Sequence, residues 1–396
     1  MSNASEILSE PVNIVFDIPS NWNRRKLVDL CTPKQWKTIS QHEMTKTGYP
    51  VFGANGFIGF YPEYNHEYAT IAVTCRGATC GTVNLIPEKT YITGNSMCFD
   101  NVSIETDVKY LFYATSFRTL SDVISGSAQP QITGESLQFV ILPIPPLPEQ
   151  KKIASILTSV DEVIENTQRQ IDKLQELKKA TMNELLTKGI GHTEFKDSEL
   201  GRIPKSWEIG IVADFGNVVT GATPDTSDRS LYDGDFMFVS PSDISEEMFV
   251  HATGKTLTDE GISKVRQIPA DSIMVVCIGS TIGKVALTTN RCATNQQINS
   301  IIPSGADPHF IYFQMKMIEN SIRKESGTQA VPIINKSDFA SIKIRLPTLD
   351  EQKEIGARLS SLNSAISAKH QKLSQTQSLK KSLMQDLLTG KVRVQV

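Results

Sequence analysis

Few residues in this 396-residue chain stand at spacings that could do chemistry. Gly279-Ser280-Thr281-Ile282-Gly283-Lys284-Val285 approaches a phosphate loop, where backbone amides cradle phosphates and a hydroxyl after the lysine holds magnesium. Its glycines stand one residue too close, and Val285 has no hydroxyl. The related stretch 77–81 puts Thr82 where the lysine belongs. Both read as tight turns. Glu149-Gln150-Lys151 and Glu351-Gln352-Lys353 carry the Glu-x-Lys spacing of many nucleases, but no strand-borne aspartate precedes them. Acids there complement a helix dipole, so capping is the expected role. The cysteines (Cys31, Cys75, Cys80, Cys98, Cys277, Cys292) form no Cys-x-x-Cys, and no histidine pair stands near them at zinc spacing. No metal site is expected. The six histidines are scattered, and no nucleophile–His–acid set can be placed. A glycine-rich dinucleotide fingerprint is absent, as is the Asn/Asp-Pro-Pro-aromatic tetrapeptide of adenine methyltransferases. The chain reads as one that recognises rather than catalyses, with no catalytic residues of its own.

The elements that position these residues occur twice. Residues 145–187 return at 347–389 in one unbroken register, offset by 202. Leu157/Leu359, Ser159/Ser361, Ile164/Ile366, Gln175/Gln377 and Met182/Met384 are identical, as are Leu177-Lys178-Lys179 and Leu379-Lys380-Lys381. Apolar residues step by four and three: Ile153, Leu157, Val160, Ile164, Thr167, Ile171, Leu174, and then Ile355, Leu359, Leu362, Ile366, Lys369, Leu373, Thr376. That is the a/d seam of a coiled coil. Thr167 and Lys369 interrupt it at the same place in both copies, as polar seam residues that fix register do. Proline is tolerated in the first turn, and Gly189 and Gly390 are stop signals.

The remainder repeats more loosely. Ile18-Pro19-Ser20-Asn21-Trp22 returns as Ile203-Pro204-Lys205-Ser206-Trp207, and Leu27-Val28-Asp29-Leu30 as Val212-Ala213-Asp214-Phe215. The two tryptophans read as core anchors. Apolar runs around paired glycines, at 69–83 and 273–285, predict strand, turn and strand. Helices are expected at 107–123 and 308–324, and last strands at 139–144 and 342–346. At this length two or three domains are expected. The second globular part leaves the end of one long helix and re-enters at the start of the other. Domain termini lie close together, whereas a helix of some forty residues is roughly 60 Å long. Antiparallel pairing satisfies both. The expectation is an α+β chain in a pseudo-twofold, circular arrangement. Its two globular α/β domains, 1–146 and 189–346, are separated by helices at 147–188 and 347–396 that form an antiparallel coiled coil. The start has no basic, apolar leader, and no run reaches the ~20 apolar residues of a membrane span. With its cysteines reduced, the chain reads as cytoplasmic.

These residues carry a resemblance. Two unlike globular parts, each followed by a repeated Pro-x-Leu-x-Glu-Gln-Lys helix, resemble the specificity subunit of type I restriction-modification enzymes. The linker Leu186-Thr187-Lys188-Gly189-Ile190-Gly191-His192-Thr193-Glu194-Phe195-Lys196-Asp197, through Gly201-Arg202-Ile203-Pro204, is similar to that family's. So are the ending Leu387-Leu388-Thr389-Gly390-Lys391-Val392-Arg393-Val394 and the segment Gly126-Ser127-Ala128-Gln129-Pro130-Gln131. The resemblance covers essentially the whole chain. It implies two target recognition domains, each reading half of a split double-stranded DNA sequence. It implies helices, conserved in the family, that space the readers and dock two methyltransferase subunits. Those subunits carry S-adenosylmethionine and flip the target adenine. Two motor-nuclease subunits would use ATP and magnesium, and this chain would hold no cofactor.

Charge runs against the usual basic footprint of DNA binders. Net charge is −3 over residues 1–146, 0 over 147–188, −4 over 189–346 and +4 over 347–396. Either basic residues gather on one face or partner subunits supply most phosphate contacts. Arg and Lys pair with guanine edges, Asn and Gln with adenine, Ser and Thr with either. On that basis the candidate base readers are Lys34, Lys37, Asn55, Arg76, Thr79 and Gln129 in the first domain. In the second they are Arg229, Lys264, Arg266, Ser280, Thr281, Lys284, Arg291 and Gln329. The acidic balance also suits a different class, a coiled-coil scaffold joining two ligand-binding domains without DNA. The linker and C-terminal matches speak against it.

Overall fold

The computed structural model describes residues 17–54, 56–126, 128–325 and 332–395. The first stretch builds β1 (Asn23–Lys26), β2 (Thr32–Gln35), β3 (Tyr49–Gly53), β4 (Gly56–Tyr61), β5 (Thr70–Thr74), β6 (Val83–Ile86), β7 (Tyr91–Ile92) and β8 (Ser96–Asp100). Then come α1 (Val108–Arg118), α2 (Gly134–Leu137), β9 (Ile141–Ile144) and the long α3 (Leu147–Lys188). The second stretch builds β10 (Phe195–Lys196), β11 (Ile203–Pro204), β12 (Glu208–Ile211), β13 (Gly216–Thr220), β14 (Tyr232–Val239), β15 (Phe249–Val250) and β16 (Thr256–Leu257). It continues with α4 (Asp259–Ser263), β17 (Gln267–Ile268), β18 (Ile273–Val276), β19 (Val285–Thr288), β20 (Cys292–Thr294) and β21 (Ile298–Pro303). α5 (Pro308–Glu325), α6 (Lys336–Ala340), β22 (Lys343–Leu346) and the long α7 (Leu349–Leu388) complete it.

Two compact units result: residues 1–169 with 370–396, and residues 170–369. Each takes one half of α3 and one half of α7. In the first, β2-β8-β5-β6 form an antiparallel sheet, β4-β3-β7 a smaller one with β3 and β7 parallel, and β1 pairs with β9. In the second, β13-β21-β18-β19-β15 and β16-β14-β20-β17 form the sheets, β14 and β20 are parallel, and β12 pairs with β22. The order is the same, with β15 and β17 added. The duplication therefore reaches beyond the helices into both globular parts.

Local chemistry explains the shared frame. β5 (Thr-Ile-Ala-Val-Thr) and β18 (Ile-Met-Val-Val) are buried at every position, as continuous β-branched runs covered on both faces should be. The turn after each needs two residues in the left-handed region, supplied by Gly77 and Gly81 and by Gly279 and Gly283. A helix then packs on the sheet. α1 buries Tyr110, Leu111, Ala114 and Phe117, and α5 buries Phe310, Ile311, Phe313 and Met315. α1 is shorter than the expected 107–123. It stops at Arg118 because Thr119 turns to φ +60°. α5 reaches Glu325.

α3 and α7 run antiparallel within each unit. In the first, Glu149 at the start of α3 meets Arg393 just beyond the end of α7, and Asp161 meets Lys380. In the second, Lys178 meets Asn363, and the amide of Ile190 beyond α3 meets Glu351 at the start of α7. Gly189 (φ +67°) and Gly390 (φ +74°) end the helices as expected.

Candidate nucleic-acid interface

The start of each long helix is a buried polar junction that fixes a globular part to it. Trp22 Nε1 donates to Glu149 Oε2 at 3.1 Å, and Arg393 grips the same carboxylate through Nε (2.7 Å) and Nη2 (2.8 Å). In the second unit Trp207 Nε1 donates to Glu351 Oε2 at 2.8 Å, while His192 Nε2 lies 2.8 Å from Oε1. His192 and Arg393 both stand three residues past the terminal glycine. The expectation that these glutamates serve as caps needs correcting. Both belong to the first turn of their helix, but each spends its oxygens on an indole and on the chain leaving the neighbouring helix. The tryptophans are core anchors, with Trp207 fully buried. Bonding to Glu149 also holds Arg393 above the usual arginine range.

The glutamine beside each glutamate is a second clamp, which spacing alone did not single out. Gln150 Oε1 accepts the amide of Asp107 (2.8 Å), and Nε2 donates to the carbonyls of Glu105 and Pro145. Gln352 Oε1 accepts the amide of Asp307 (3.1 Å), and Nε2 donates to Pro347. Asp107 and Asp307 in turn cap α1 and α5 by accepting from Tyr110 and Phe310. The identity of Glu-Gln in both helix copies was the available signal. Each clamp sets a sheet-covering helix against a long helix.

Along α3, Ile153, Leu157, Ile164, Thr167 and Ile171 are buried, while Val160 and Leu174 are half-buried. Along α7, Ile355, Leu359 and Ile366 are buried, while Leu362, Lys369, Leu373 and Thr376 are half-buried.

The candidate readers fall into several groups. Arg76 and Thr79 are exposed on the turn between β5 and β6, where Gly77 N–H donates to Pro130 O and Arg76 bridges Gln131. That lays Pro130 and Gln131 against the turn, with exposed Gln129 preceding them in the chain. Lys34 and Lys37 are exposed at the end of β2, and Lys34 Nζ stands 3.7 Å over the Trp36 ring. In the second unit exposed Ser280 and half-buried Thr281 occupy the matching turn, where Gly279 N–H donates to Pro332 O. Gly283 N–H donates to Val276 O and Lys284 N–H to Thr281 O. These amides are taken up within the chain rather than turned toward a phosphate, in keeping with a plain turn. Lys284 Nζ donates to Ile244 O at 3.2 Å. Arg266 donates to Thr220 O (2.8 Å), and Arg291 donates to Gln267 (3.3 Å) with its guanidinium 4.6 Å over Phe236. Lys264 pairs with Glu260 at 3.6 Å, and Arg229 is exposed. Asn55 and Gln329 lie outside the described residues.

Two α+β units thus repeat one frame, each with a docked turn at a sheet end. The family model for the type I restriction modification DNA specificity domain matches residues 19–176 and 204–377, and the chain belongs to that family. A candidate type I restriction enzyme specificity subunit of Methanocaldococcus jannaschii, MjaX, is 31% identical over 285 residues, 67% of this chain and 62% of the relative. The type I restriction enzyme MjaVIII specificity subunit of that organism is 28% identical over 73% of this chain and 71% of its own length. The match thus spans less than two thirds of the first relative. A crystal structure of a type I restriction-modification S subunit from M. genitalium covers 98% of this chain and 99% of its own, with a TM-score of 0.70 at 17% identity. That likeness bears on the fold. Among the described residues no helix is long and apolar enough to cross a membrane.

Proposed function

We propose that this chain is the DNA sequence-reading subunit of a type I restriction-modification complex and has no chemistry of its own. Each globular part reads one half of a bipartite double-stranded target. The observation that carries this reading is the duplicated frame with unlike tips. The same sheet order and the same docked turn recur, while the turn residues change from exposed Arg76 and Thr79, with Gln129 nearby, to exposed Ser280 and half-buried Thr281. A frame kept with its tips varied is what two readers of different half-sites require. The long helices offer docking faces for two methyltransferase subunits, which bring S-adenosylmethionine. Motor-nuclease subunits add ATP-driven cleavage. Complex formation of this kind accounts for readers that are net negative, since partners then supply most phosphate contacts. A cytoplasmic location follows from that role.

The test is methylome mapping. The chain is expressed with its methyltransferase partner, with residues 20–146 replaced by those of a relative. One half of the methylated motif should change and the other persist. A joint change of both halves refutes the paired-reader model. Methyl transfer by the chain alone refutes the division of labour.

A further inference from the structure

The first unit gathers three side chains that lie apart in sequence. β8 presents Cys98 and Asp100 on one face, two residues apart. His66 reaches them from the loop before β5, where it bridges Thr90. His66 Nε2 lies 3.1 Å from Asp100 Oδ1, and ligand atoms of His66, Cys98 and Asp100 all fall within 4.8 Å of one another. Cys98 is fully buried, His66 is 8% exposed and the Asp100 side chain 13%.

Asn65 decides what His66 can offer. Its Nδ2 donates to Ile92 O (2.9 Å) and its Oδ1 accepts the Ile92 amide (2.8 Å), so the amide orientation is fixed. The same Oδ1 lies 2.7 Å from His66 Nδ1, which must therefore carry a proton and donate. In a neutral ring Nε2 is then a lone pair aimed at a carboxylate. Two acceptors face each other at this distance in a buried site only when a cation joins them. That cation is either a second ring proton or a metal. Cys98 favours the metal. The thiols of Cys31, Cys75 and Cys80 each donate to a backbone carbonyl. Cys98 Sγ makes no such bond among the described residues, and neither do Cys277 and Cys292; what sets Cys98 apart is that its Sγ lies within 4.8 Å of the His66 and Asp100 ligand atoms. Asp100 Oδ2 accepts from Trp36 Nε1 at 3.1 Å, the kind of outer partner that orients a ligating carboxylate.

We propose that His66, Cys98 and Asp100 bind a zinc ion that pins the loop before β5 to β8. A thiolate, a carboxylate and a neutral imidazole together cancel the charge of a divalent ion, which suits a buried site. Ligands about 2.0–2.1 Å from a tetrahedral zinc lie roughly 3.4 Å apart, close to the spacing of Nε2 and Oδ1. Mixed S, N and O donors select zinc over magnesium or calcium. Sequence spacing gave no sign of the site because its ligands come from a loop and a strand more than thirty residues apart.

The experiment uses the full chain, purified without chelator and with any affinity tag removed. Elemental analysis should find about one zinc per chain. Cobalt added to the metal-free chain should give a thiolate-to-cobalt charge-transfer band. Cys98→Ser should abolish that band, and Cys80→Ser should leave it unchanged. Zinc should raise the unfolding midpoint of the wild type and of Cys80→Ser only. A folded wild-type chain with no zinc and no cobalt band overturns the proposal and leaves a protonated His66–Asp100 pair. A band that survives Cys98→Ser overturns it equally. Neither wild-type measurement depends on a variant folding.

Discussion

Lys380 Nζ forms a 2.5 Å ion pair with Asp161, and one repeat away Lys178 Nζ donates instead to the neutral Asn363 at 2.6 Å. Both pairs link α3 to α7, and both lysines reach over a ring of the sheet-covering helix: Tyr113 at 5.7 Å and Phe313 at 5.8 Å. Tyr113 also donates its hydroxyl to Asp161 Oδ2 at 2.7 Å. One position thus holds a full ion pair in the first unit and a single charge in the second. Lys380 is 2% exposed and Asp161 18%. Removing one partner of a buried pair costs about 3–5 kcal/mol, because the other charge is left stranded. Lys380→Met should therefore lower stability by about 3 kcal/mol. Lys178→Met leaves only an amide behind and should cost about 1 kcal/mol or less. Denaturant unfolding of both variants checks this, and equal losses would show that the asymmetry has no energetic weight.

The same asymmetry predicts a pH effect. Burial lowers the Lys178 pKa from the usual lysine range, and neighbouring Lys316 adds to the lowering. A base depressed in the folded state is penalised while protonated, at any pH below its folded value. The penalty fades as pH rises through the folded value toward the unfolded one. Wild type should therefore gain stability relative to Lys178→Met between pH 7 and pH ~10. Unfolding midpoints at both pH values measure this. A gain of the variant over wild type at high pH would reverse the assigned sign.

The helices and their glycine stops were legible in the sequence because a 3–4 spacing, held from Ile153 to Leu174 and again from Ile355 to Thr376, has one physical reading. Gly189, Gly390, the two strand–glycine–strand segments and the core tryptophans followed from local rules. The clamps were not legible. Gln150 and Gln352 act through backbone amides of Asp107 and Asp307, more than forty positions away. Glu149 and Glu351 looked like dipole partners because nothing local shows that an indole and a returning chain end would claim them. The Cys98–Asp100 step on β8 reads as an ordinary strand until the loop carrying His66 is folded over it.

The C-terminal tail should matter to the first unit. Arg393 holds both oxygens of Glu149, which is 3% exposed and also takes the Trp22 indole proton. Arg393→Ala leaves a buried carboxylate with one donor in place of three bonds. A loss of about 2–3 kcal/mol is expected, together with a change in tryptophan fluorescence. Arg393→Lys restores charge without the two-pronged grip and should recover only part. Unchanged stability in Arg393→Ala would show that the tail is dispensable.

Thiol reactivity provides a map of burial. Desolvation pushes Cys31 and Cys277 up to about 12, and Cys75 and Cys292 up to about 11. Cys80 is raised less and is only half-buried. The thiolate is the nucleophile, so at pH 8 its fraction at the four buried positions is on the order of 0.1% or less. Iodoacetamide followed by peptide mass spectrometry should modify Cys80 first. The other five, Cys98 included because burial raises its thiol too, should stay protected until denaturant is added. Labelling of Cys75 at the rate of Cys80 would mean that the turn between β5 and β6 opens readily.

The exposed tips of each unit are the candidates for reading bases. Arg76 and Thr79 share the turn between β5 and β6, and Pro130 and Gln131 dock on it next to exposed Gln129, whereas Lys284 is tied to Ile244 O. A bidentate side-chain contact to a base edge is worth about 1–3 kcal/mol of discrimination. Arg76→Ala and Gln129→Ala, each in complex with the methyltransferase partner, should relax the first half-site by about 10- to 100-fold at one position. The second half-site should be unaffected. Ser280→Ala and Thr281→Ala should do the reverse, with smaller effects. Lys284→Ala should weaken methylation without altering either half-site, because its ammonium holds the loop at Ile244. Methylation rates on DNAs with single base changes in each half measure all five variants. If Arg76→Ala lowers rates equally on every sequence, Arg76 contacts phosphate and the base contacts of the first reader lie elsewhere on its surface.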